Sequence, residues 1–340
     1  MLNPSRSNAK HQISGIELTT DLLADRGGLL PLMKYLDQTG IVDGVASPLM
    51  KYRSGNKGIG APELIRQMFV FFFDGTSRHL TWFDQLKKDE GYQALLEINA
   101  ETAASSHQVK RFFNKPGKTI CLPMRAILRD MFAARIRLER PEVVELFLDT
   151  MVLDNDDAHF RQGCEPTYKK VKGFQPLQLI WDGMIIDAQF RGGKKNGNHG
   201  LTAVNMVKNA AKVVREILGN EVPILVRMDG GFMDGELFWR LDVNQIGFVC
   251  TMRQSKEIKA FVGDQTATEW RSFSNGKQTW SYLDFGTRCL KWGRFYRCLY
   301  LKPMFKGDQM VLEFDRPEQV LVTNMGSYPR LFMKVETGIS

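Results

Sequence analysis

The sequence predicts an α/β fold: a mixed sheet with flanking helices, a β-rich insertion following it, and a mostly helical N-terminal region. Three observations carry this. Up to about Pro141 the apolar residues cluster at helical spacing. From residue 144 to 252 short β-rich runs alternate with helical ones, and from about Phe261 to Asn324 the pattern is β-like throughout.

In the first region, residues 29–36, 61–73, 93–98 and 122–138 carry clustered or helically spaced apolar side chains between Gly, Pro, Asn and Ser punctuation. No fixed-period repeat or low-complexity tract is present. Ser105 stands where a helix cap would, ahead of Gln108, Lys110 and Arg111. Those three side chains could offer base or phosphate contacts from a short recognition helix. An ordinary amphipathic helix fits the same pattern.

Beyond Pro141, residues 144–148 form a short apolar run that ends in Asp149. Residues 177–181 and 184–190 are strand-like and flank Asp182-Gly183, a strong two-residue hairpin turn. Residues 202–218 are an amphipathic helix with Val204, Val207, Ala211, Val214 and Leu218 on one face, stopped by Gly219. The run 222–228 is continuously β-rich, as a strand buried on both faces requires, and it ends in Asp229. A helix over 235–244 and a strand over 247–252 follow. The last stretch predicts strands at 280–285, 288–292, 296–301, 310–314 and 320–323.

A net charge of +8 favours a polyanionic partner, because Lys and Arg gain affinity by displacing phosphate counterions; charge alone does not require one. The longest apolar stretch, 68–73, is too short to span a bilayer, and the first ten residues lack the apolar core of a secretory signal, so a cytoplasmic location is expected. Cys121, Cys164, Cys250, Cys289 and Cys298 are scattered without a C-x-x-C pair, which fits neither a zinc site nor a disulfide framework. His79, His107, His159 and His199 have no metal-ligand spacing. The K-P-G-K-T run at 115–119 ends like a phosphate-binding loop but has Phe112 where that motif needs Gly.

Asp149 and Asp229 both fall at the carboxyl end of a predicted buried strand, where α/β sheets place reactive groups. In this strand order the first and fourth strands are neighbours at the sheet centre, so the two carboxylates could share divalent ions. Hard oxygen ligands select Mg²⁺ or Mn²⁺. Two such ions about 3.5–4 Å apart would activate a water or 3′-hydroxyl for in-line attack on phosphorus. Asp-Gly after a strand is also a common turn dipeptide, and taken singly each aspartate fits a turn as well. Lys169, Lys170, Lys172, Arg191, Lys194 and Lys195 flank the hairpin, where they could cradle phosphates or simply form a solvated basic rim.

The segments L-D-T-M-V-L-D-N-D-D, T-Y-K-K-V-K-G-F-Q-P-L, R-M-D-G-G-F and V-L-V-T-N together resemble the catalytic domain of cut-and-paste insertion-sequence transposases of the DDE group. Upstream, T-S-R-H-L-T-W-F-D-Q-L-K-K-D and A-S-S-H-Q-V-K-R-F-F resemble that family's N-terminal region. The resemblance spans roughly residues 29–324. It implies an RNase H-like fold, with Asp149 before Thr150 as first metal ligand and Asp229 in R-x-D-G-G-F as second. Asp154, Asp156 and Asp157 crowd the first position and stay open as alternatives. The implied division is a helical DNA-binding region over 1–140, a catalytic core over 141–260, a β-rich insertion over 261–324 and a tail over 325–340. The implied chemistry is DNA strand cleavage and strand transfer with two Mg²⁺ or Mn²⁺ ions. The implied partners are double-stranded DNA at terminal inverted repeats and a second copy in a homodimer, in a bacterial, nucleoid-associated setting.

One departure from the family pattern stands out. Its third ligand is a Glu on a helix after the β insertion, in a Tyr…Arg…Glu…Lys frame. Here the only carboxylate after Asn324 is Glu336, followed by Thr337-Gly338. The helix reads as missing, through truncation or a frame change near Met325. The expectation is therefore a transposase defective in chemistry. Two alternatives are a non-catalytic remnant that binds element ends or inhibits an intact enzyme, and an RNase H-like nuclease without strand transfer.

Overall fold

The computed structural model describes residues 25–52, 58–157, 163–195, 197–276, 278–288, 292–304 and 318–326. The strand expected at 310–314, the middle of that at 288–292, His159, Cys289 and the tail beyond 326 lie outside these residues. The chain divides into two compact units, Met1–Pro123 and Met124–Ser340.

The first unit is helical: α1 (Leu29–Thr39), α2 (Ile41–Ala46), α3 (Ala61–Asp74), α4 (Phe83–Leu86), α5 (Glu90–Leu96) and α6 (Ser106–Asn114). Its core forms where the helical period brings apolar residues to one face, as with Leu29, Met33 and Leu36 on α1. Gly40, in the left-handed region at φ 64°, turns the chain from α1 into α2. Phe71 of α3 stacks on Phe83 of α4, with ring centroids 4.5 Å apart. Arg26 donates to Asp74 at 2.8 Å and to Asp89 at 2.7 Å, and Asp89 in turn caps α5 through the Tyr92 amide. Buried Gln67 donates to the carbonyl of Thr102 and accepts from the amide of Ala104, which fixes the approach to α6.

The boundary between units falls inside α7 (Cys121–Glu139), earlier than the limit at residue 140 that the sequence implied. The reason is packing: Phe132, Ala133 and Ile136 belong to the core of the sheet unit, where Phe132 meets Trp181 edge-on at 5.4 Å.

The sheet unit continues with β1 (Val144–Thr150), β2 (Leu153–Asp154), β3 (Glu165–Pro166), β4 (Lys172–Phe174), β5 (Leu177–Trp181), β6 (Met184–Gln189), α8 (Thr202–Leu218), β7 (Ile224–Met228), α9 (Gly235–Val243), β8 (Gly247–Met252) and α10 (Lys256–Gly263). Then come β9 (Arg271–Ser274), β10 (Thr279–Thr287), β11 (Tyr296–Met304) and β12 (Gln319–Thr323). Among the described residues nine strands form one sheet in the order β6-β5-β1-β7-β8-β12-β11-β10-β9. Strands β6, β5 and β1 are antiparallel, and β1, β7 and β8 are parallel. That order and those directions make the core an RNase H-like sheet.

Each core element has a local cause. Asp182 and Gly183 both take positive φ (45° and 72°), the conformation a two-residue hairpin needs to match strand twist. Strand β7 is buried at every position, with Ile224, Val226 and Met228 in the core under α8 and Leu225 in a second cluster on the other face. On α8 the predicted stripe is widened by Ala203, Met206, Ala210 and Val213; the small alanines let the helix lie close to the sheet. The parallel connection from β6 through α8 to β7 is the crossover that parallel pairing demands.

The β-rich stretch after residue 261 continues the core sheet and forms no separate layer, because β12 pairs antiparallel with β8 through Val322↔Cys250. Phe261 itself lies in α10, which Ser255 caps by accepting from the Ile258 amide. Among the described residues the two edges of the sheet are β6 and the four-residue β9. At the β6 edge, Arg125 of α7 holds Asp187 through two bonds of 2.7 and 2.6 Å. Among the described residues no helix is long and apolar enough to cross a membrane.

Candidate functional site

Strands β1 and β7 run side by side in parallel, with Phe147 opposite Arg227 and Leu148 opposite Met228. One residue further on in each stand Asp149 and Asp229. Adjacent strands are about 4.8 Å apart, so the two aspartates lead off the same end of the sheet from neighbouring positions. Strand alternation assigns both to the face shared by Phe147 and Arg227, whose guanidinium lies 4.8 Å from the Phe147 ring centre. Leu148 and Met228, on the opposite face, are buried in the core and anchor the two strand ends.

Both aspartates are exposed. Each accepts one backbone amide through Oδ1: Thr150 N to Asp149 at 2.7 Å and Gly231 N to Asp229 at 2.9 Å. Neither forms an ion pair with Lys or Arg among the described residues, which leaves an anionic oxygen open on each. Behind them, buried Cys250 directs its thiol at the Asp229 carbonyl, 3.3 Å away. Burial, and secondarily the Asp229 charge, raises the pKa of that thiol, so it stays protonated and contributes no soft ligand. The donor set is hard oxygen, which suits Mg²⁺ or Mn²⁺. Among the described residues no group of three or more His, Cys, Asp or Glu comes together to hold a metal ion. Of the crowding acids, Asp154 accepts from the Asp156 amide and Asp156 from the Lys172 amide, so both serve the small sheet β2-β4-β3.

The sequence matches the family described as Transposase DDE domain group 1 over residues 5–331. The chain belongs to that family. No curated protein matches it. Among solved structures it is similar to piggyBac transposase in a cryo-EM synaptic complex with hairpin DNA, at 14% identity and a TM-score of 0.30. That alignment covers 80% of this chain and 53% of the piggyBac chain, so this chain spans about half its length.

Within this DDE transposase domain the predicted basic residues divide into two kinds. Lys169, Lys170, Lys172 and Lys194 are exposed and Lys195 is half-buried. Lys169 and Lys170 sit on the turn before β4, Lys172 on β4 itself, and Lys194 and Lys195 on the loop after β6. Arg191 differs. It is buried, and it donates to the carbonyls of Gln175 (3.3 Å) and Gly197 (3.1 Å) and to the Thr202 hydroxyl (3.4 Å). Burial lowers its pKa, and its guanidinium points into the protein, so a phosphate-cradling role does not extend to it.

That clamp is what sequence reasoning missed. Gly197 lies so close to the D-G-G-F turn that a Cβ there would sit 2.7 Å from the Gly231 carbonyl oxygen and from the Phe232 ring. Asn198 reaches Asp234, the cap of α9, at 3.0 Å. The loop bearing Lys194 and Lys195 is thereby pinned against the turn that carries Asp229. The signal was available in G-G-K-K-N-G-N-H-G, where closely spaced glycines mark close backbone approach.

In the first unit α6 forms as expected, with a reciprocal capping box: Gln108 N bonds to Ser105 Oγ, and Ser105 N to Gln108 Oε1 at 2.8 Å. Gln108 is therefore engaged in its own helix end and does not present a free amide pair for bidentate adenine contact. Asp84 adds a second tie, accepting from the Ser106 hydroxyl (2.6 Å) and amide (2.9 Å), and these bonds hold its carboxyl pKa below the usual range. Lys110 and Arg111 are exposed and line a shallow groove of about 440 Å³ with His107, Asn114 and Lys115. Ser105→Ala removes the cap and should destabilise this unit by about 1 kcal/mol. Thermal melts of S105A and S105D check this, with the aspartate, itself a good cap, retaining most of the stability.

Proposed function

We propose that Asp149 and Asp229 are the metal-holding carboxylates of a site that cleaves DNA at insertion-sequence ends and joins the cut ends to a target. The observation that carries this reading is the parallel pairing of β1 with β7, which brings the two aspartates to adjacent strand ends with an open oxygen on each. Mg²⁺ or Mn²⁺ bound there supplies Lewis-acid activation of a water or 3′-hydroxyl and neutralises charge on the phosphate. The chain's own residues hold the ions through Asp149 and Asp229. They contact the DNA backbone through Lys169, Lys170, Lys172, Lys194 and Lys195, and place the last two by the Arg191–Gly197 clamp. On α6, Lys110 and Arg111 are proposed to touch DNA, with terminal inverted repeats as the ligand. An element has two ends, so the acting form proposed is a homodimer.

The family resemblance calls for a third acid beside Asp149 and Asp229. We propose as the second reading that the 340 residues bind DNA without cutting it. A labelled end duplex, assayed for binding and cleavage with Mg²⁺, Mn²⁺ or chelator, tests both. The expected result is binding that persists in chelator, with no nicking or joining. Joining the family's Glu-bearing helix to the chain should recover Mg²⁺-dependent cleavage. Strand transfer on pre-cleaved ends then separates a transposase from a plain nuclease. Robust metal-dependent cutting by the unmodified polypeptide would place the third acid within it, with Glu336 the first to examine.

A further inference from the structure

A second basic surface lies on the helical layer of the sheet unit, away from the aspartates. Between α7 and α8 runs an open cleft of about 680 Å³ lined by Arg129, Arg137, Arg140 and Lys212, with Asp130 and Glu216 as its acidic members. On the other flank of Lys212 a shallower groove of about 430 Å³ adds Lys208 and Arg215. The six cations exceed the two carboxylates, and five of the six are exposed. Arg215 is half-buried and donates to the carbonyl oxygens of Asn244 and Gln245. Lys212 approaches Glu216 at 3.7 Å and Arg129 approaches Asp130 at 3.8 Å, both as solvated pairs. Arg137, Arg140 and Lys208 form no ion pair among the described residues.

Position decides what this surface can do. The last turn of α7 leads into the amino end of β1, and the last turn of α8 leads into the amino end of β7. Asp149 and Asp229 stand at the opposite, carboxyl ends. Strand β1 has seven residues and is roughly 20 Å long, equal to about six base pairs of duplex rise. No group at Arg137 or Arg140 reaches the phosphate held at the aspartates. The cations lie on two neighbouring helices, with Arg140 just past the end of α7, and extend about 12 Å along α7 from Arg129 to Arg137. That breadth matches phosphates across a DNA groove of about 6–12 Å. The cleft is open and its lining mainly charged, unlike the enclosed apolar pocket of a small-molecule site.

We infer that the α7–α8 face is a second contact for the backbone of double-stranded DNA, independent of sequence, engaging duplex at a distance from the phosphate that reacts. The inference rests on the DNA-acting reading above but not on its metal chemistry. Guanidinium groups suit the task because they pair with phosphate oxygens in bidentate fashion.

The test uses the full 340-residue chain and a fluorescein-labelled duplex of random sequence, with anisotropy measured across a salt series without divalent metal. One variant carries Arg137→Gln, Arg140→Gln and Lys212→Gln; the other carries Lys169→Gln, Lys170→Gln and Lys172→Gln. If both surfaces hold DNA, each variant binds more weakly. Each lost phosphate contact lowers the slope of log K against log salt by about 0.9, so the helix-face variant should lose about two to three in slope. A helix-face variant carrying Arg137→Lys and Arg140→Lys should keep most of the slope, since charge is retained. An unchanged slope in the helix-face glutamine variant, with a loss in the other, would overturn this inference and leave the proposed site standing. No duplex binding by the unsubstituted chain would overturn both readings. A matching loss in melting temperature for the glutamine variant but not for the lysine variant would mark these residues as structural and overturn the inference.

Discussion

Replacing Asp229 by asparagine in a chain that carries the family's third acid should abolish metal-dependent cleavage without loss of DNA affinity. The amide keeps the shape of the side chain and can still accept from the Gly231 amide, so the turn after β7 is preserved. What it loses is the anionic oxygen that a hard divalent ion requires. A divalent ion held there would supply several kcal/mol of stabilisation to charge developing on the phosphate, so the rate should fall by about a thousandfold or more. Binding should move the other way, because removing a negative charge beside DNA weakens repulsion. In chelator, Asp229→Asn should bind slightly more tightly than the parent. Cleavage and anisotropy on one labelled duplex check both signs. Retained cleavage in Asp229→Asn would remove this residue from the metal site.

The second large effect concerns Gly173 in β4. A Cβ built there would stand 2.2 Å from the carbonyl oxygen of Leu153 and 3.1 Å from its carbon. Both are backbone atoms of β2, so no rotamer change relieves the clash. Gly173→Ala must therefore push β4 off β2, and with it the turn bearing Lys169 and Lys170. Overpacking of this kind costs about 1–3 kcal/mol, with the upper end expected where backbone must move. Gly44→Ala is the control: it lies within α2 with nothing inside 4 Å of a built Cβ, and alanine there should stabilise by up to about 1 kcal/mol. Urea unfolding of both variants, with hydrogen exchange over β2 and β4, gives the comparison. Wild-type stability and exchange in Gly173→Ala would show that the small sheet is looser than its packing implies.

The core strands and helices were legible because their signals are local and periodic. Residues 177–181 and 184–189 alternate around an Asp-Gly turn, and β7 could be read from a continuous β-rich run broken only by Arg227. The pairing of β1 with β7 followed from the order of elements. The three-stranded sheet β2-β4-β3 was not legible. Its strands are two or three residues long, too short for any period, and they are held by the close approach of Gly173 and Gly193 to neighbouring backbone. Arg191 misled for a related reason. In sequence it belongs to a basic run, and only the fold shows that carbonyl oxygens surround it. Gln108 sits where a recognition residue would, yet three-residue spacing from Ser105 also marks a capping box, and the structure uses it for that.

The ion pair between Arg125 and Asp187 also bears on how the molecule keeps to itself. Among the described residues strand β6 ends the sheet, and a bare outer strand offers unpaired amides and carbonyls on which another chain can template. Asp187 sits on that strand with its side chain largely withdrawn from solvent, and α7 closes over it with a bidentate guanidinium. A foreign strand arriving there would have to part this pair and leave a carboxylate stranded in its seam. At the far margin, β9 is four residues long and mostly solvent-facing, too short to seed an extended ribbon. Among the described residues, a sheet nine strands wide thus ends in two borders that discourage fibrous growth.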